Sequence, residues 1–313
     1  MTKSLILLPP SLPEPVSFSG HETFILRYGW LKKAFDAVTD DPEVFSREDA
    51  IVTLGVGKNM VRSIRHWAVV TGILKEEPGT RGLRLQPTKF GSLIFSTVGF
   101  DPFLEDSNSI WLLHWQICTN SSRATTWIWA FSLLRGTEFT TTILRNMILG
   151  EIEKRGLKVP TANTLKRDIE CFVRSYVQAR SATLAEDTLD SPLSELRLIE
   201  QIGRDGLLSF RRGPKKTLAD EIVAFCVLDF WTRQAATRET LTFNEIAYGF
   251  CSPGSILKLD ENSLVERLES LEKVTGGALL YADTAGLKQI YRKRAIAPES
   301  LLASYFDDKL VCV

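Results

Sequence analysis

The chain has 313 residues, 44% hydrophobic and 24% charged, a balance that excludes an intrinsically disordered protein and leaves room for about two or three domains with their own cores. Its 38 basic and 38 acidic residues cancel, so any affinity for nucleic acid has to come from a local patch and not from a global field. Five cysteines, Cys118, Cys171, Cys226, Cys251 and Cys312, lie far apart with no C-x-x-C pair. They read as reduced thiols of a cytoplasmic protein, without a disulfide or zinc framework. The first residues hold one short apolar run, Leu5 to Leu8, before a proline-rich stretch. That is too short for a secretory core or a membrane span, so 1–17 is expected to be a flexible arm and no membrane partner is expected.

From Phe18 the pattern becomes that of folded structure. Ser19 followed three residues later by Glu22 has the spacing of a capping box, which predicts a helix carrying Phe24, Tyr28, Leu31 and Phe35 as its core stripe. His21-Glu22 opens like a zinc-protease motif, but the second histidine would stand at position 25, which is Ile25. Ser46 and Asp49 predict another helix start, ended by Gly55-Val56-Gly57. Lys58 to Thr71 then has two faces: Val61, Ile64 and Ala68 on one, and Lys58, Arg62, Arg65 and His66 on the other. Lys58 after Gly57 resembles the end of a nucleotide phosphate loop, yet that motif wants glycine at position 52 and Ser or Thr at 59, where Val52 and Asn59 stand. A DNA phosphate at the start of this helix uses the same physics. Ile73 to Glu76 and Leu83 to Gln86 flank a turn at Pro78 to Gly82, a hairpin or wing. Residues 18–95 thus read as a winged helix-turn-helix.

Residues 96–190 read as a helical bundle. Ile110 to Ile117, Ala124 to Leu134, Thr140 to Arg155 and Thr164 to Tyr176 are helical runs joined by short polar turns. Trp111, Trp115, Trp127 and Trp129 could stack on bases, but their spacing is that of a core. Ala182 to Asp190 is small and acidic, a linker or lid. In 191–313, Ser191-Pro192 marks a helix start, and Leu207 to Lys216 reads as a surface hairpin with a basic end, Arg211, Arg212, Lys215 and Lys216. Asp220 to Arg233 is apolar on nearly all sides and should be a buried helix. Thr242 and Glu245 form a capping box, Asn262 to Val274 a helix, and Ala278 to Ala282 with Leu287 to Arg292 a hairpin. This outline is winged-helix-like, but Asp260, Glu261, Glu266, Glu269 and Glu272 make its helix acidic, which fits a protein partner better than phosphate. The fold class is therefore mainly α with short β-hairpins: an N-terminal winged helix-turn-helix, a central helical bundle and a C-terminal winged-helix-like domain.

Phe18 to Phe24, with Arg27, Trp30, Leu31 and Lys32 after it, and Leu54 to Val61 resemble the two signature stretches of an uncharacterised bacterial family. Its genes tend to lie beside DNA phosphorothioation and related phage-defence genes. The resemblance spans most of Phe18 to Phe306 and implies a genomic setting, with no catalytic residues to carry over.

Between Lys58 and Lys89 seven basic residues face two acidic ones, Glu76 and Glu77. The expected DNA-contacting residues are Lys58, Asn59, Arg62, Arg65, His66, Arg81, Arg84 and Lys89, with Arg211, Arg212, Lys215 and Lys216 as a second basic patch. The expectation is a DNA-binding component of a phosphorothioation-associated modification or phage-defence system, with double-stranded DNA and proteins of such a complex as partners. The alternative is a protein–protein adaptor of such a complex that does not touch DNA. Three histidines, none set at a catalytic or metal spacing, give no constellation for an enzyme, a metal or a cofactor.

Overall fold

The computed structural model describes residues 16–119, 123–178, 191–203 and 205–310; residues 1–15 of the expected arm at 1–17, the whole acidic stretch Ala182 to Asp190, and Cys312 lie outside them. The chain is mainly helical, with small antiparallel sheets. Contacts gather it into two compact units: residues 13–130 with 136–211, and residues 131–135 with 212–313. The division differs from the boundaries at 95 and 190 expected from composition. Two long-range attachments cross those boundaries: residues 21–24 bond to 168–174, and the strand at 207–210 pairs with 138–139.

In the larger unit the first helix, α1 (Trp30–Asp40), starts later than the capping-box spacing predicts. Residues 18–29 form turns, so Phe24 and Tyr28 are outside the helix, and α1 buries Leu31, Ala34, Phe35 and Val38. Ser46 likewise caps nothing: its hydroxyl donates to the Glu43 carbonyl at 2.7 Å, and α2 (Ala50–Leu54) begins four residues on. Gly55 ends α2 at φ 62, a left-handed conformation in which its N–H and that of Val56 reach back to the last turn. After Gly57 comes α3 (Lys58–Val70), which buries Val61, Ile64, Trp67 and Ala68. Strands β1 (Leu74–Glu76) and β2 (Leu85–Pro87) pair in antiparallel register, Lys75 opposite Gln86, and α4 (Lys89–Phe95) follows, its first turn capped by the Thr88 hydroxyl.

Helices α5 (Ser107–Thr119), α6 (Thr125–Leu133), α7 (Thr141–Lys154) and α8 (Ala162–Tyr176) stand where the apolar runs place them. Trp111, Trp115, Trp127 and Trp129 are all buried, and so serve as core, not as stacking platforms. One element escaped the sequence reading. The two-residue strand β3 (Glu138–Phe139) pairs with β5 (Leu207–Phe210), itself paired with β4 (Ile199–Ile202). Of the hairpin expected at Leu207 to Lys216, only Leu207–Phe210 is a strand: it is the middle of a three-stranded sheet in the larger unit, and Arg211 to Lys216 form no strand.

The smaller unit is built on α9 (Asp220–Ala235), buried along most of its length as its composition requires. A sheet of order β6-β8-β7 joins Thr240–Thr242, Leu287–Arg292 and Leu279–Thr284. Between β6 and β7 lie α10 (Phe243–Tyr248), α11 (Pro253–Ile256), α12 (Glu261–Glu269) and α13 (Leu271–Val274). The Thr242–Glu245 capping box forms as expected. The predicted helix 262–274 is broken at Ser270, whose hydroxyl donates to the Arg267 carbonyl. The last helix, α14 (Pro298–Leu310), packs on α9. Residues 131–135 belong here because Lys258, fully buried, donates to the Phe131 carbonyl at 2.7 Å, and the Cys251 N–H donates to the Ser132 hydroxyl at 3.2 Å.

Candidate nucleic-acid interface

The start of α3 is an exposed polar surface. Gly57 supplies no side-chain cap, so the first N–H groups of the helix have no side chain over them, an arrangement that suits an anion. Lys58, Asn59 and Arg62 are exposed on the same side of the helix, and Arg81 is exposed in the loop that joins β1 to β2, with φ 54. Lys75 and Lys89 are exposed as well. Among the described residues Lys58, Lys75 and Arg81 have no ion-pair partner.

Three of the expected contact residues are placed differently. Arg65 does not face solvent freely: its guanidinium donates to Glu76 at 2.9 Å and to the Gly82 carbonyl at 3.0 Å, fastening α3 to the hairpin loop. Arg123 donates to the same Glu76 oxygen at 2.7 Å. Burial by itself would raise the Glu76 carboxyl, but the hydrogen bond from Arg65 and the charges of Arg123 and Arg65 outweigh it and hold the group below its ordinary value. Arg84 is engaged by Glu77 at 2.8 Å and Glu43 at 3.1 Å. His66 is buried, and burial first, then the charges of His21, Arg123 and Arg65, push its imidazole down to about 3. It is a core residue that carries no charge to a phosphate. The local basic excess is thus thinned by carboxylates that are distant in sequence, Glu22 and Glu43 among them.

The expected second basic patch is divided between the two units, Arg211 in the larger and Arg212, Lys215 and Lys216 in the smaller. Arg211, on the larger unit, lies 3.7 Å from Glu200. Lys215 is buried, and its carbonyl accepts from Arg267. Arg212 and Lys216 are exposed, but Arg212 lines a shallow cavity of about 200 Å³ with Tyr248, Asp260 and Glu261, where carboxylates are its neighbours.

What the sequence reading missed is a bracket beside α3. Residues 20–24 run between α3 and α8 and are held from both. The Thr23 N–H donates to His21 Nδ1 at 3.0 Å, so the ring proton sits on Nε2, which donates to Asp168 of α8 at 2.8 Å. Both side chains are buried. Trp67 of α3 donates its indole N–H to the Phe24 carbonyl at 3.1 Å, Cys171 of α8 directs its thiol to the same oxygen at 3.5 Å, and Arg174 donates to the Thr23 carbonyl. Gly20 has φ 113, and a Cβ on it would lie 2.5 Å from His66 Nδ1. No other residue type fits that seat without displacing the ring. Glu22 and Thr23 both adopt left-handed backbone, φ 48 and 68, a conformation costly for a β-branched residue and sustained here by the surrounding hydrogen bonds. Of this segment's side chains, Glu22 turns outward, 3.7 Å from Arg62. The signal was present in the sequence as Gly-His-Glu-Thr, but its partners lie about 45 and 150 residues away.

Among the described residues no group of three or more His, Cys, Asp or Glu is placed to hold a metal ion, and no helix is long and apolar enough to cross a membrane. The four described cysteines, Cys118, Cys171, Cys226 and Cys251, are buried and form no disulfide with one another.

Fold and site together define a mainly helical protein that presents an exposed, positively charged helix start beside a braced hairpin. The chain belongs to the family described as "Protein of unknown function (DUF4007)", whose model matches residues 18–306. Two solved structures are similar over nearly all of it: a magnesium ion-bound SspB crystal structure, with TM-score 0.85, 30% identity, and coverage of 93% of this chain and 88% of that one, and a second SspB crystal structure with TM-score 0.84 and the same identity and coverage. No curated protein matches the chain.

Proposed function

We propose that the protein is a DNA-binding component of a phosphorothioation-associated DNA-modification or phage-defence system, and that it contacts duplex DNA through a winged helix-turn-helix at residues 18–95. The observation that carries this reading is the uncapped start of α3, where Lys58, Asn59 and Arg62 are exposed together beside a hairpin whose loop exposes Arg81. Helix, glycine turn, basic helix and hairpin in that order supply phosphate contacts from the helix start and the wing, and side chains of α3 for base edges. Arg65 acts in this scheme as the brace that fixes the wing to α3. The setting rests on the resemblance to a family encoded beside phosphorothioation genes and on the likeness to SspB. A cytoplasmic location and protein partners from the same complex follow from that setting.

The test is a salt-dependent titration with matched plain and phosphorothioated duplexes. Log affinity should fall with log salt by about 0.9 per phosphate neutralised. Combined Lys58→Ala, Arg62→Ala and Arg81→Ala should flatten that slope by about two to three. Duplex affinity unchanged in the triple variant would overturn the proposal.

A second reading has its own support. Val52 is 78% exposed, Ile51 46% and Leu83 59%, an apolar component on α2 and the hairpin loop that phosphate does not use. An adaptor that binds a protein through Ile51 and Val52 of α2 would survive the triple substitution and fail in Val52→Asp.

A further inference from the structure

The bracket at residues 20–24 buries or occupies nearly everything it carries, and leaves one ionised group beside the exposed face of α3. His21 is spent on Asp168, the Thr23 and Phe24 carbonyls on Arg174, Trp67 and Cys171, and Gly20 on the seat of His66. Two successive left-handed residues, Glu22 and Thr23, are held against their steric preference by these contacts. The outcome is a carboxylate 3.7 Å from the Arg62 guanidinium, with Arg62 about half exposed and Glu22 about one-third. Such a partner is a poor device for phosphate affinity, because it repels the backbone that Lys58 and Arg81 would attract. It is a good device for reading a base pair.

In the major groove a G·C pair presents the guanine N7 and O6 as two acceptors and the cytosine N4 amino group as a donor. An A·T pair presents an acceptor, a donor, an acceptor and a methyl group. Arg62 offers two parallel donors and Glu22, beside it, an acceptor. Donor, donor, acceptor is the complement of the G·C edge and not of the A·T edge. We propose that Glu22 is a specificity-determining residue: with Arg62 it reads one G·C pair in duplex DNA, Arg62 taking the guanine and Glu22 the cytosine amino group. This rests on the DNA-binding reading above and names the base pair that its site selects. In the free protein the same ion pair holds Arg62 away from non-specific phosphate, so Glu22 also restrains binding to unrelated sequence.

The experiment selects bound duplexes from a library of DNA with a randomised central stretch, followed by titration of matched duplexes that differ in one base pair. The parent protein should prefer G·C at one position by about 5- to 150-fold. Glu22→Ala, which removes the acceptor, should reduce that preference and raise affinity for all duplexes several-fold. Arg62→Lys should abolish the guanine preference while leaving the salt slope nearly unchanged, since the charge is kept and the fork is lost. The Arg62 variant tests the pair from the other side if Glu22→Ala disturbs the strained segment. Parent protein that binds duplex with no G·C preference at any position, or the same preference in Glu22→Ala, overturns the inference and leaves the DNA-binding reading standing. Parent protein that binds no duplex overturns both.

Discussion

Removing the imidazole that ties the bracket to α8 should be among the most damaging single changes in the larger unit. His21 and Asp168 are 4% and 3% exposed, and the second carboxylate oxygen of Asp168 is buried without a hydrogen-bond partner. The carboxylate therefore depends on His21 Nε2 for its hydrogen bond. In His21→Ala the buried Asp168 carboxyl is left with no donor, which costs at least about 1 to 3 kcal/mol. Against a typical domain stability of about 5 to 15 kcal/mol, that is a large share. Urea unfolding followed by tryptophan fluorescence suits the measurement, because Trp67 and Trp127 lie 6.5 and 6.0 Å from the His21 ring, centroid to centroid. Asp168→Asn in the His21→Ala background removes the stranded charge and should recover more than about 1 kcal/mol, a coupling that independent sites do not show. A loss below about 1 kcal/mol in His21→Ala, or purely additive effects in the pair, would refute the claim that this bond anchors the bracket.

Two pH dependences follow from groups whose ionisation folding perturbs. Below the ordinary imidazole value of 6.5 the unfolded chain binds a proton that buried His66, held near 3, does not, so stability falls as the pH drops from 6.5 toward 3, by up to about 1.4 kcal/mol per unit. His66→Gln should flatten that acid limb, and parallel limbs for parent and variant would count against the assignment. Glu245 is pushed down to about 2: burial opposes the shift, but Arg238 and the amide and hydroxyl of Thr242 outweigh it. Its carboxylate therefore contributes stability above about 4.5 that is lost as the pH falls toward 2. Glu245→Gln should cost about 1 kcal/mol at neutral pH, with the deficit shrinking between pH 5 and 3; a deficit independent of pH would remove the role of the charge.

Local chemistry was legible in the sequence where partners are near, and not where they are far. The Thr242–Glu245 box needs three residues of spacing and forms; Ser19 and Glu22 have the same spacing and form no helix. There the winning interaction is His21 to Asp168, 147 residues apart, which no local pattern encodes. The apolar side of α3 follows from its period, whereas the fate of Arg65 and Arg84 turns on Glu76, Glu77 and Glu43 meeting them across a hairpin and a loop. Charge counting along the chain could not anticipate that. A two-residue strand such as β3 carries no periodicity at all, and its pairing with β5 spans about 70 residues.

The assignment of residues 131–135 to the smaller unit bears on how the chain is made. The Phe131 carbonyl and the Ser132 hydroxyl leave the ribosome about 120 residues before Lys258 and Cys251, the groups they serve. In between comes all of 136–211, which belongs to the other unit. The smaller unit is therefore nested around a segment of the larger one in the order of synthesis, and it cannot close until most of the protein has emerged. For the same reason the gene offers no single cut that yields it whole: a fragment starting at Arg212 would lack the Phe131 carbonyl that accepts from Lys258.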